Sequence, residues 1–111
     1  MRIAVASDGL DVADDFLQSR NFNYYTTQSF ELADSKNIPA EGITCEEYAS
    51  LMEQIGIDAL ICNGITPACK IAFEDVGITV AEGVRGNALE AAQDFLTDQA
   101  KSLEDALDDD D

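Results

Sequence analysis

The fold is decided by the stretch Ile57-Asp58-Ala59-Leu60-Ile61-Cys62-Asn63-Gly64-Ile65-Thr66-Pro67-Ala68. Its first six residues are mostly apolar, which is typical of a strand that is buried on both faces. A glycine turn follows, and Thr66 then caps a helix whose first residue is Pro67, where a missing amide hydrogen costs nothing. The stretch therefore predicts a strand, a tight turn and a helix in direct succession.

The same order of elements continues toward the C-terminus. Residues 78–81 form the next short apolar run, and Gly83-Val84-Arg85-Gly86 is its exit loop. An apolar stripe at helical spacing begins at Ala88 and predicts a final helix. Because a strand–helix–strand connection within one sheet is almost always a right-handed crossover, this half of the chain predicts a parallel sheet.

The N-terminal half predicts further strands and one more helix. Residues 3–6 are an apolar strand, and residues 21–28 alternate as a half-exposed strand does. Residues 29–33 are a candidate hairpin partner for that strand, and residues 36–42 have the composition of a loop. Thr44 and Glu47 form a capping box that opens a helix. We therefore predict one α/β domain over residues 1–105, with a mixed, partly parallel sheet of about five strands flanked by helices, and an acidic disordered tail over residues 106–111.

Charge and composition exclude several functions. The 111 residues include 23 Asp and Glu, 6 Lys and Arg and no His, for a net charge of −17. Such a surface repels phosphate backbones, so nucleic acid and anionic membranes are poor partners. Without histidine there is no Ser–His or Cys–His pair and no His-ligated zinc. A metal-dependent nuclease built on Asp8 and Asp58 is disfavoured by the same charge, so the composition favours an acidic, non-hydrolytic domain.

The cysteines and the N-terminus bear on the compartment. The sequence has three cysteines, Cys45, Cys62 and Cys69. An odd number without a Cys-x-x-Cys pair predicts neither a disulfide framework nor a zinc knuckle. No signal peptide or membrane-spanning run is apparent, so we expect a cytoplasmic protein with reduced thiols. Cys69 is a candidate reactive thiol, because a helix N-terminus lowers the pKa of a cysteine.

Two glycine-containing loops predict a site for an anion. Both follow parallel strands and open at the same sheet edge, where α/β proteins bind ligands. At residues 63–66 the backbone amides at a helix N-terminus would supply donors, and Lys70 and Arg85 would supply positive charge. The alternative is an ordinary connection with good caps, in which Arg85 merely pairs with Glu82 or Glu90.

Four carboxylates crowd the acidic loop, which we define as residues 8–19. They are Asp8, Asp11, Asp14 and Asp15. Their spacing does not fit the calcium-binding EF-hand loop, since Leu10 and Val12 stand where oxygen ligands are needed. A solvated loop is the favoured interpretation, and we predict no metal ligands in it.

The residues that match a known family lie in four stretches: residues 1–9, residues 56–68, residues 76–80 with the following Gly83, and residues 88–92. Together these stretches resemble the dinitrogenase iron–molybdenum cofactor biosynthesis family. The resemblance extends to about residue 100. It implies a ribonuclease H-like α/β domain and a non-enzymatic role, in which an iron–sulfur or molybdenum–iron–sulfur cluster is bound or carried during cofactor assembly. Cofactor-assembly proteins are the partners that it implies.

The predicted cofactor-binding residues combine the loops with this resemblance. They are Ser7, Asp15, Cys62, Asn63, Gly64, Ile65, Thr66, Cys69, Lys70, Gly83 and Arg85. Family members commonly carry a His-Phe-Gly segment where this chain has Asp15-Phe16-Leu17, and an aspartate is a hard ligand for a soft cluster. The alternative function is an interaction module of the same fold that binds a protein partner through its acidic surface. The oligomeric state is left open.

Overall fold

One mixed sheet of six strands forms the centre of the computed structural model, which describes residues 1–28, 31–40 and 42–108, the last ten of them by their backbone alone. The strands are β1 (Arg2–Asp8), β2 (Asp11–Val12), β3 (Asn21–Gln28), β4 (Glu31–Pro39), β5 (Ala59–Ile61) and β6 (Thr79–Ala81). Their order across the sheet is β4-β3-β1-β5-β6, and β2 pairs with β1. Strands β1, β5 and β6 are parallel, whereas β2, β3 and β4 run antiparallel to their neighbours. The predicted mixed α/β sheet is confirmed.

Three α-helices flank the sheet: α1 (Cys45–Ile55), α2 (Pro67–Asp75) and α3 (Ala88–Asp108). Helix α1 begins as predicted, because the Thr44 hydroxyl oxygen accepts a hydrogen bond from the amide of Glu47. It ends at Gly56, whose φ of 87° is left-handed and suits glycine. Thr66 caps α2 in the same way by accepting from the amide of Cys69. No helix in the described ranges is long and apolar enough to cross a membrane.

Strand β4 is where the sequence prediction was wrong. Residues 36–42 were expected to form a loop, but β4 continues to Pro39, with Ile38 opposite Phe22 and Lys36 opposite Tyr24. The strand lies at the edge of the sheet and most of its side chains are exposed, so it has little apolar patterning to reveal it. The predicted pairing of residues 29–33 with β3 holds from Glu31 onward, and residues 29 and 30 lie outside the described residues.

The two faces of the sheet carry separate apolar clusters. Helices α1 and α2 cover the face that includes Ala4 and Leu60. Helix α3 covers the face that includes Ile3, Val5 and Ile61. The alternation of Leu60 and Ile61 between the two faces explains why this strand reads as a continuous apolar run. The predicted tail over residues 106–111 stays a prediction, since residues 109–111 lie outside the described residues.

Candidate functional site

Three loops meet at one edge of the sheet. Strands β1, β5 and β6 are parallel, so their carboxyl ends lie side by side. The acidic loop follows β1, residues 62–66 follow β5, and residues 82–87 follow β6. We refer to residues 62–66 and 83–86 together as the rim. The sequence prediction that these two loops open at a common edge is confirmed.

The acidic loop is fastened to both parts of the rim by backbone hydrogen bonds. The amide of Gly64 donates to the Asp14 carbonyl at 3.0 Å, and the amide of Phe16 donates to the Gly64 carbonyl at 2.7 Å. At the other part of the rim, the amide of Val12 donates to the Gly86 carbonyl at 2.8 Å. Contrary to expectation, Gly64 therefore has no amide to offer a ligand, because that amide already holds the acidic loop.

Asp15 lies directly beside Gly64, with which it forms an isolated backbone bridge. Its carboxylate accepts a hydrogen bond from the amide of Leu17 at 3.1 Å and so caps the short 3-10 helix Phe16–Gln18. The structure thus places Asp15 next to the rim, and its role as a cofactor-binding residue stays a prediction. Its side chain there acts first as a helix cap.

Ser7 is completely buried and turns inward from the rim. Its hydroxyl donates to the Val5 carbonyl at 2.9 Å and accepts from the Asn23 side-chain amide at 3.1 Å. The side-chain amides of Asn23 and Asn21 also donate to the Gly9 carbonyl, at 2.9 and 3.0 Å. Ser7 thereby belongs to a buried network that holds the turn after β1. Sequence reasoning missed this network, although two asparagines at strand spacing were its visible signal.

The two parts of the rim are also joined to each other. The amide of Gly83 donates to the Asn63 carbonyl at 2.9 Å, and the amide of Val84 donates to the Cys62 carbonyl at 3.0 Å. Gly83 has a φ of 75°, a left-handed conformation that favours glycine at this turn. Gly83 therefore shapes the rim through its backbone.

Lys70 forms an ion pair with Glu82, with 2.7 Å between Nζ and Oε1. The hydrogen bond to Glu82 and the attraction of its carboxylate raise the pKa of the Lys70 ammonium. Glu82, one of the two partners expected for Arg85, is thus paired with Lys70. Within the described residues Arg85 has no ion pair, and it is an exposed residue of the rim.

The expectation of three reduced thiols is wrong, because Cys45 and Cys69 form a disulfide. They are 24 residues apart in sequence, and only the packing of α1 beside α2 brings their Cα atoms to 5.2 Å. Spacing in the sequence could not show this approach. Cys69 is therefore no free thiolate at the N-terminus of α2.

Cys62 is the free cysteine of the structure and is fully buried. Burial raises the pKa of its thiol to about 11, with a smaller rise from the Glu82 carboxylate and a partial offset from Lys70. At neutral pH the sulfur is therefore a protonated thiol with no exposed surface. Iron–sulfur clusters are held by thiolates, so neither Cys62 nor Cys69 fits that role in this conformation.

The rim retains groups that suit an anion. No acceptor in the described residues meets the amides of Ile65 and Thr66, which precede the N-terminus of α2. The helix dipole and free amides at this position attract negative charge. In the same described part of the chain, no three His, Cys, Asp or Glu side chains come together to hold a metal ion. The arrangement can hydrogen-bond an anion but offers no ready set of metal ligands.

Solved structures with the same fold include three proteins of low sequence identity. PH0822 is 20% identical with a TM-score of 0.80, over 87% of this chain and 89% of its own. MJ0327 from Methanocaldococcus jannaschii, for which a dinitrogenase function has been suggested, is 17% identical with a TM-score of 0.72, over 87% and 88%. TM1290 from Thermotoga, suggested to be a NifB protein and placed in the DUF35 family, is 21% identical with a TM-score of 0.67, over 85% of each chain.

At these identities the structures establish a shared fold alone. No curated protein sequence matches the chain significantly. The family model described as "Dinitrogenase iron-molybdenum cofactor" matches residues 1–98, which include every strand and both loops of the rim. The chain therefore belongs to the dinitrogenase iron-molybdenum cofactor family.

Proposed function

We propose that this protein is a non-catalytic accessory protein of metallocluster cofactor assembly, which holds an anionic cargo at the rim. The cargo is a metallocluster or a small oxyanion related to it. Family membership supports the accessory role, since the family is described by the iron–molybdenum cofactor. The proteins that assemble such a cofactor are then its partners, and the cytoplasmic location predicted from the sequence is consistent with that role.

The main observation behind the proposal is that the rim contains both backbone amides without acceptors and an arginine without an ion pair. The amides of Ile65 and Thr66 have no acceptor within the described residues, and Arg85 lies on the neighbouring loop without an ion pair there. Two amides without acceptors and a guanidinium suit a compact anion, because charge-assisted hydrogen bonds are stronger than neutral ones. A chain with a net charge of −17 has few places that favour an anion.

The mode of binding follows from what the cysteines cannot do. Cys69 is bonded to Cys45, and Cys62 is buried and protonated. We therefore propose that the cargo keeps its own ligands and is held by hydrogen bonds and charge rather than by thiolates of this chain. Such an arrangement suits a carrier, since release requires no metal–sulfur bond to break.

The first experiment titrates the protein with molybdate and follows backbone amides by NMR. We expect the largest shift changes at Ile65 and Thr66. Arg85→Ala should weaken binding by about tenfold, the order expected for a hydrogen bond to a charged group. Arg20→Ala is the matched control, because Arg20 carries the same charge and already pairs with Asp8 at 3.5 Å. Equal weakening by both variants, or no shift changes at the rim, would contradict the proposal.

A second variant tests the electrostatics from the opposite direction. Glu82→Gln removes a carboxylate near the rim and releases the Lys70 ammonium from its ion pair. Molybdate binding should become tighter, and Glu53→Gln on α1 serves as the control of equal charge, since Glu53 is exposed and lies outside the rim. Anaerobic reconstitution with iron, sulfide and molybdate then tests a cluster as cargo. Visible absorption that persists in Cys62→Ala supports binding without thiolates, whereas loss of the colour in that variant would contradict it.

The second candidate function is the interaction module that binds a protein partner through acidic side chains. The net charge of −17 favours it, together with the exposed carboxylates along α3. This candidate does not require an anion at the rim. The test compares how strongly the Arg85→Ala variant and the unaltered chain bind a cofactor-assembly protein. Equal binding that weakens with added salt would favour the interaction module over the carrier.

A further inference from the structure

A cleft of about 210 Å³ lies between β6 and α3, and its lining includes Val84 and Arg85 of the rim. Ile61, Ala81 and Val84 line it from the sheet side, and Ala91 and Phe95 line it from α3. Helix α3 packs mainly on β1, β2 and β4. The α3 face of the β5–β6 pair is therefore incompletely covered by the described elements, and a partly apolar surface remains there.

Strand β6 is also one of the two edges of the described sheet, opposite the edge formed by β4. Its Thr79 amide donates to the Asp58 carbonyl at 3.0 Å, and its Ala81 carbonyl accepts from the Cys62 amide at 2.9 Å. In a parallel pair, alternate residues bond to the neighbouring strand. The amide and carbonyl of Val80 consequently point away from β5, where an added strand would meet them.

The margin of the cleft is acidic. Glu90, Asp94 and Asp98 are exposed, line the cleft and recur every four residues, so they lie along one side of α3. Arg85 also lines it, but three carboxylates against one guanidinium leave the margin net negative. An apolar floor with an acidic margin beside an open strand edge is complementary to a segment that alternates apolar and basic side chains.

We propose that β6 and α3 form a docking groove for an extended, basic segment of a partner protein. The segment pairs with the backbone of Val80, directs apolar side chains to Ala81 and Val84, and directs lysine or arginine to the carboxylates of α3. Addition of a strand to an open sheet edge is a common mode of peptide recognition. A second copy of this chain is disfavoured, because two molecules of −17 charge would bring like charges together.

The experiment uses a blocked peptide in which lysine alternates with valine, titrated into the full chain and followed by NMR. The expected result is shift changes at Val80, Ala81 and the cleft side of α3, with slower hydrogen exchange of the Val80 amide. Asp94→Lys/Asp98→Lys should weaken binding by about fivefold or more, the order expected for two exposed charge pairs. Glu53→Lys/Asp75→Lys is the matched control, since it makes the same charge change on α1 and α2.

The outcomes separate this groove from its alternatives. Weakening by the α3 variant alone, with protection of Val80, supports the groove, whether or not molybdate binds at the rim. Equal weakening by both variants reduces the binding to general charge attraction and overturns the proposal. Shift changes without protection of Val80 overturn strand addition, and self-association of the free chain through β6 in sedimentation overturns the assignment of the groove to a basic partner.

Discussion

Gly64 and Asp14 are in such close contact that glycine is required by space alone. The Gly64 amide donates to the Asp14 carbonyl at 3.0 Å, and a Cβ on Gly64 would lie 2.8 Å from the same oxygen. Gly64 does not have a left-handed backbone, so conformational freedom is not what selects it. The glycine of the rim is therefore there to let the acidic loop approach.

Gly64→Ala should lower the free energy of unfolding by about 2 kcal/mol, because the carbonyl that its methyl group would strike is backbone and cannot rotate away. Gly77→Ala is the control: its φ is 85° and the space around it is open, so only about 1 kcal/mol of backbone strain is expected. Urea unfolding gives both values. NMR shift changes at Asp15 and Phe16 should accompany Gly64→Ala, and their absence would contradict the proposed displacement of the acidic loop.

Phe16 anchors the acidic loop in the core. Its ring is 1% exposed and lies 5.3 Å from that of Phe73 and 5.6 Å from that of Tyr48 between centroids. Phe16→Ala should cost about 4 kcal/mol of unfolding free energy, as removal of a buried aromatic ring does. Leu17→Ala, in the same short helix but 54% exposed, should cost well under half as much. Similar losses in the two variants would show that the core does not hold this loop.

Reduction of the Cys45–Cys69 disulfide should destabilise the protein. The bond joins residues that are 24 apart in sequence. Because it restricts the unfolded chain, its reduction should lower the free energy of unfolding by about 3 kcal/mol. Urea unfolding with and without dithiothreitol measures the difference, and Cys62→Ala should show the same difference because Cys62 takes no part in the bond. Thiol labelling of the unfolded, unreduced chain should count one free cysteine. A count of three would contradict the disulfide.

The thiol of Cys62 predicts how stability changes at alkaline pH. Burial raises its folded pKa from 9.0 to about 11, so between these values the folded state holds a proton that the unfolded state has lost. Stability is therefore complete below pH 9 and falls as the pH rises toward 11, by at most about 3 kcal/mol for two pKa units. Burial also raises the pKa of Tyr25, which acts in the same direction. The comparison with Cys62→Ala isolates the thiol, since the variant keeps Tyr25. Parallel pH profiles would be inconsistent with the raised pKa.

Much of the fold was predictable because its signals are local. Thr44 and Thr66 predicted two helix starts, because a cap forms its hydrogen bond within one turn. The apolar run at residues 59–61 predicted a buried strand. The later part of β4, residues 36–39, was not predicted because an exposed edge strand is held by its partner's backbone and not by its own pattern. The location of the rim was also predictable, because parallel strands bring the loops that follow them to the same edge of the sheet.

The amino-acid sequence by itself determined the helix caps, the parallel strands, the net charge of −17 and the positions of the rim loops. Tertiary structure alone decided which groups of the rim remain available. In the folded chain the Gly64 amide donates to the Asp14 carbonyl, and Lys70 forms an ion pair with Glu82. Cys69 is bonded to Cys45, and Cys62 is buried. The reason is that caps and strand patterns depend on neighbours in the chain, whereas the partner of a donor, a charge or a thiol is set by residues distant in sequence that folding brings within a few ångströms.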